Sequence, residues 1–123
     1  ILFLEKTHVD NTKLLILYQR VGENKKALTL VRKMYKKTKD KILLGYIAIL
    51  EHELAHSKQK VMKHVIANYE TALKYTNNAS FKNYYGYLLI DYNIDIKKGL
   101  KLVKEALNQY PTNLAYMDSV AWG

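Results

Sequence analysis

Apolar residues recur along this chain at helical spacing, in runs cut by short polar breaks. From Leu14 to Val21 they share one face of a helix, Gly22-Glu23-Asn24 interrupts, and Ala27, Leu28, Leu30, Val31 and Met34 resume the pattern. The prediction is a helix, a tight turn and a second helix, the first one short if it starts only after Val9-Asp10-Asn11. The run Ile42 to Leu50 is apolar on every side, as in a helix buried between two neighbours. Ser57-Lys58-Gln59-Lys60 reads as a loop, and Val61 to Tyr75 as an amphipathic helix closing at Thr76-Asn77-Asn78. A third pair follows: Phe81 to Tyr92, a turn at Asn93-Ile94-Asp95, then Ile96 to Gln109. Pro111, which lacks a backbone donor, stops that helix, and Asn113 caps a last segment from Leu114 to Gly123.

Composition narrows this to an all-α fold. About half of the 123 residues are hydrophobic, enough for a real core, while 5 Gly and 1 Pro supply too little turn chemistry for many short strands. The absence of cysteine removes disulfides, thiol catalysis and cysteine-bound zinc, and leaves the compartment open. The chain opens Ile1-Leu2-Phe3-Leu4 without an initiator Met, and four apolar residues are too few for a signal or a membrane span. The expectation is a cut within a longer chain.

The net charge of +9 invites a nucleic-acid or anionic-membrane reading. Eighteen of the 20 cations are lysines, however, whereas base-specific readers favour the bidentate fork of arginine. Lys, Tyr, Ile and Asn are also the residues of AT-rich codons, a blander source of the excess. Between Lys25 and Lys41 there are eight cations and one acid, Asp40, spaced mostly between the apolar positions, as a solvated outer face requires.

Self-comparison relates the pairs to one another. Ala72-Leu73 and Ala106-Leu107 each close a second helix, 34 residues apart, which is a known helical-repeat period. Leu44-Gly45, Tyr85-Gly86 and Val120-Ala121 each put a large residue before a small one, at spacings of 41 and 35, where a small residue would let a partner helix come close. With Tyr18, Gly22 and Ala27 in the first pair, Gly45, Tyr69 and Ala72 in the second, and Gly86, Ala106 and Pro111 in the third, the chain resembles the tetratricopeptide repeat. The stretch from Asn83 through Gly86-Tyr87-Leu88-Leu89 to Pro111, and on through Tyr116-Met117-Asp118-Ser119-Val120-Ala121-Trp122, is similar to a subtype found in large bacterial repeat proteins. It departs from the family pattern at Lys39 in place of a terminal Pro, at an insertion around His56 to Lys60, and at Gly99 in place of Ala.

The resemblance implies one domain over 1–123: a right-handed α-α superhelix of antiparallel pairs at about 8–41, 42–78 and 79–113, with a partial fourth at 114–123. It implies a scaffold that binds a protein or peptide segment in a concave groove, with no cofactor and no catalysis. Tyr46 and Tyr87, one residue after each Gly, would face that groove. Asn83 and Asp91 lie four residues either side of Tyr87 on the same helix face. The expected roles are Asn83 as an amide clamp on the partner's backbone, Tyr87 as a stacking surface and Asp91 as a charge selector. Tyr46 and Ile49 would extend the site into the second pair, and Gln19 and Arg20 into the first. The competing expectation for this face is cover by neighbouring repeats, and an apolar final helix predicts self-association.

His52-Glu53-Leu54-Ala55-His56 matches the H-E-x-x-H zinc-protease signature. Its chemistry needs both histidines on one helix face, with Glu53 activating a zinc-bound water. His64 and Glu70 are the available third ligands, and the longer metzincin spacing would place a His where Met62 stands. Against it, the motif closes a helix assigned to the repeat and abuts a lysine-rich loop, so a solvated helix end is expected and no metal site. Tyr18, Tyr69 and Tyr85 are expected to fill gaps between helices.

Overall fold

The computed structural model describes the backbone of residues 2–123 and the side chains of residues 11–123. These residues form seven helices and no strand: α1 (Leu2–Arg20), α2 (Asn24–Thr38), α3 (Leu43–Leu54), α4 (Lys58–Leu73), α5 (Ala79–Asp91), α6 (Ile96–Gln109) and α7 (Leu114–Trp122). The all-helical class follows from the apolar spacing, and the breaks fall where backbone chemistry demands them. Gly22 takes φ +79°, and Asn93, a residue that tolerates the left-handed region, takes φ 53°. The carboxamides of Asn78 and Asn113 and the carboxylate of Asp95 accept from the N–H groups of Phe81, Tyr116 and Lys98, capping α5, α7 and α6.

Two boundaries differ from the sequence reading. Helix α1 starts at Leu2 and carries Val9-Asp10-Asn11 in its interior. No Gly or Pro precedes Gly22, and a weak triplet lowers helix propensity without breaking the helix. Helix α4 starts at Lys58, so the linker is shorter than the polar run suggested. The Lys58 ammonium donates to the carbonyl oxygens of His52 and Glu53, two of the open acceptors at the end of α3.

Each helix packs on its chain neighbours, and α3 also meets α5, as α5 meets α7. Among the described residues no equally close backbone approach joins α1 to α3. The core falls into three clusters. One gathers Leu15, Ala27, Val31 and Leu50, the next Ala48, Val65, Tyr69, Phe81 and Tyr85, and the third Ala79, Ala106 and Tyr116. Tyr69 and Tyr85 stack at 5.1 Å between ring centres and are almost fully buried, the gap-filling role expected of them.

The glycines set the closest approaches. A Cβ at Gly86 would lie 2.7 Å from the Gly99 carbonyl oxygen, and one at Gly99 would lie 2.6 Å from that of Gly86, so α5 and α6 meet backbone to backbone. Ile90 and Leu89 sit against Gly99 while Leu102 and Val103 sit against Gly86, which fixes the two helices as antiparallel. Gly99, a departure from the repeat pattern, is therefore what this crossing requires. Gly45 behaves differently: a Cβ there would run into the Phe81 ring of α5. The two glycines of Leu44-Gly45 and Tyr85-Gly86 thus have different nearest neighbours, the backbone of α6 for Gly86 and the Phe81 side chain of α5 for Gly45. Among the described residues no helix is long and apolar enough to cross a membrane.

Candidate functional site

Helix α5 meets both α3 and α7 in addition to its chain neighbours. A cleft of about 210 Å³ opens between α3 and α5, lined by Ile49, His52 and Glu53 from α3, by Tyr84, Tyr87, Leu88, Asp91 and the adjoining Tyr92, and by Tyr69 of α4. A broader hollow of about 490 Å³ lies between α5 and α7, bounded by Asn83, Tyr84, Tyr87, Ala115, Asp118, Ser119 and Trp122. Tyr84 and Tyr87 belong to both, so they form the ridge between the two recesses. Tyr87 is 41 % exposed and Tyr84 47 %, large surface areas for aromatic residues on an ordered helix.

The expected residues are partly brought together. Tyr87 stands on the ridge, Asp91 faces the α3 cleft, and Asn83 faces the α7 hollow. The three share one stripe of α5 but are divided between two recesses, because α5 has a neighbour on each side. The Asn83 carboxamide oxygen is buried without a hydrogen-bond partner. Ile49 contributes to the cleft from within the core, at 7 % exposure.

Tyr46 lines neither recess. Its ring packs edge-on against Phe81, 4.9 Å between centres, and burial pushes its phenol pKa up. The absent side chain at Gly45 draws Phe81 toward α3, and Tyr46 closes over it. Gln19 and Arg20, at the end of α1, line neither recess either, since α1 does not come alongside α3. Tyr46, Gln19 and Arg20, expected at the groove, therefore line neither of the two recesses.

Several lining residues were not assigned to the groove by sequence, Tyr84 and Glu53 among them. Tyr84 lies three residues before Tyr87 and seven before Asp91, a spacing that marks the same face. Glu53 was weighed only as part of the zinc motif. That motif is divided by the fold: α3 ends at Leu54, Ala55 is extended (ψ 133°), and His56 is off the helix that carries His52. The His52 Nε2 lies 3.2 Å from the Tyr92 hydroxyl, and the two rings meet edge to face. Among the described residues no three His, Cys, Asp or Glu side chains gather in a metal-holding group.

Charge is divided between the helices. Helices α2, α4 and α6 carry 13 Lys and Arg and two Glu. Helices α3, α5 and α7 carry four carboxylates and one lysine, Lys82, which pairs with Glu105 at 3.0 Å. Glu51, with little exposed surface, holds Arg32 at 2.8 Å and lies 3.2 Å from His64, tying α2 and α4 to α3. Burial, and then the nearby Lys58 charge, push the His52 pKa down, so its ring is neutral at pH 7. Burial and the Glu53 carboxylate both push the phenol of Tyr84 up, and burial, Tyr84 and Glu53 do the same to Tyr69. The cleft thus presents neutral aromatic walls and anionic edges. No protein family, no curated protein and no solved structure matches this chain.

Proposed function

We propose that this chain is part of a tetratricopeptide-like solenoid, a scaffold that binds a segment of a partner protein along the face formed by α3, α5 and α7. The observation that carries the reading is the pair of recesses meeting at Tyr84 and Tyr87, with Asn83 lining one of them. A bound segment would rest its side chains in the recesses and hydrogen-bond its backbone at Asn83. Alternate pockets along a helical face are the geometry for reading successive side chains of one chain. The helix order, the antiparallel α5–α6 crossing and the buried Ala72 and Ala106 are all compatible with stacked pairs.

The eight cations between Lys25 and Lys41 favour a second reading, a basic surface for nucleic acid or anionic lipid. They lie on and just beyond α2, away from the recesses. A peptide-display selection against the folded chain separates the two. The expectation is a family of related peptides whose binding tolerates moderate salt, falls about ten-fold or more in Tyr87→Ala or Asn83→Ala, and survives Lys36→Gln/Lys37→Gln. Binding that follows the lysines and collapses as salt rises would transfer the function to the basic face.

A further inference from the structure

We infer that the cleft between α3 and α5 is a seat for a cationic side chain, lysine or arginine, of the bound polypeptide, walled by tyrosines and edged by Glu53 and Asp91. This deepens the reading of the groove as a peptide site and rests on it. Three features of the cleft converge on that occupant.

The first is its walls. Tyr69, Tyr84, Tyr87 and Tyr92 all line a cavity of about 210 Å³, and a cavity of about 150 Å³ already admits a benzene-sized guest, so a long side chain fits. Aromatic faces attract ammonium and guanidinium groups through the ring quadrupole, most strongly where water is partly excluded.

The second is unmatched charge. The chain holds 20 Lys and Arg against 11 Asp and Glu, yet no cation lines this cleft. Glu51, Glu70 and Glu105 each have a basic partner, whereas among the described residues no ion pair involves Glu53 or Asp91. Both are exposed at the cleft. Lys58, the cation close by, donates to the carbonyl oxygens of His52 and Glu53; its charge is felt at His52, but it pairs with neither carboxylate and does not line the cavity. His52 is neutral and cancels nothing.

The third is the wider field. The two helices that flank the cleft, α3 and α5, carry three carboxylates and a single lysine, Lys82, which is paired with Glu105. An anionic segment is repelled from the cleft edges, and a purely apolar one leaves both carboxylates without a partner. A basic residue satisfies walls and edges together.

The test titrates N-acetyl-lysine methylamide and N-acetyl-arginine methylamide into isotope-labelled protein, followed by NMR, with the norleucine and glutamate analogues as controls. The cationic amides should shift the resonances of Tyr84, Tyr87 and His52, and the double variant Glu53→Gln/Asp91→Asn should bind them about ten-fold more weakly. The substitutions are isosteric and at exposed positions, so an unchanged amide spectrum away from the cleft certifies the fold. Equal shifts from the norleucine amide, or none from the cationic amides, would overturn the inference. The peptide selection separates its failure from that of the groove itself. Binders lost in Tyr87→Ala but free of Lys and Arg leave the groove standing and remove the cation seat, whereas no binders at all removes the groove. Binders rich in Lys or Arg that weaken in the double variant support both. A second copy of the chain as occupant would appear as concentration-dependent sedimentation abolished by the same double variant.

Discussion

The seam within a pair, α5 against α6, and the seam between pairs, α3 against α5, are both opened by glycine, and they are opened for different things. At Gly86 and Gly99 each residue faces the other's carbonyl, so two rigid backbones are in contact and neither can yield. At Gly45 the neighbour is the Phe81 ring, a side chain with rotamers of its own. The within-pair seam is fixed by main chain and the between-pair seam by a replaceable group. The recesses form along the second kind of seam, so the part of the molecule proposed to bind is also the part whose width side chains determine.

Removing the wedge should have the largest effect. Phe81→Ala takes away a ring with no exposed surface and is expected to cost about 3–5 kcal/mol in urea unfolding. It should also change the spectrum of the α3–α5 cleft, since the seam loses its spacer. Gly86→Val comes next, at about 3 kcal/mol, because its branched side chain meets the Gly99 carbonyl and Val103 and no smaller neighbour is left to trade. Gly45→Ala should cost about 1–2 kcal/mol after the gain in helix propensity is counted. Here the comparison becomes sharp: Phe81→Leu should recover part of that loss in a double-mutant cycle, while no side-chain change in α6 should recover Gly86→Val. Equal rescue at both sites would erase the distinction between the seams.

The smallest effect lies at the far end of the between-pair seam, where His52 meets Tyr92. The folded state holds the His52 pKa below its ordinary 6.5, burial being the first cause. The unfolded chain therefore takes up that proton first as pH falls. The His52 contribution is fully present above about pH 6.5, declines as pH drops through that value, and levels off once the folded state is protonated too. Thermal unfolding of the parent and of His52→Gln between pH 7.5 and 5 should show a fall in the parent that the variant lacks.

Much of the fold was legible because breaks and caps are local chemistry. Gly22, Asn93, Pro111 and Asn113 mark their turns by backbone need alone. The start of α4 was not, since Lys58 looks like loop until its ammonium is seen on the carbonyls that end α3. Nor was the role of Gly45, because a small residue in a helix does not reveal which neighbour it admits. In the site, the stripe Asn83, Tyr87 and Asp91 could be read from four-residue spacing. The division of that stripe between two recesses depends on which helices flank α5, and on that the stripe itself carries no information. The retreat of Tyr46 onto Phe81 is of the same kind, a tertiary contact between residues 35 apart in the chain.

The cluster of Glu53 and Asp91 is a local exception on a chain whose net charge is +9. A basic polypeptide is repelled at long range and attracted only once it is within reach of the cleft edges. Added salt screens the long-range repulsion more than the short contacts inside the cleft, so it should hasten capture before it weakens retention. Discrimination among partners then rests on how long each one stays on the aromatic ridge.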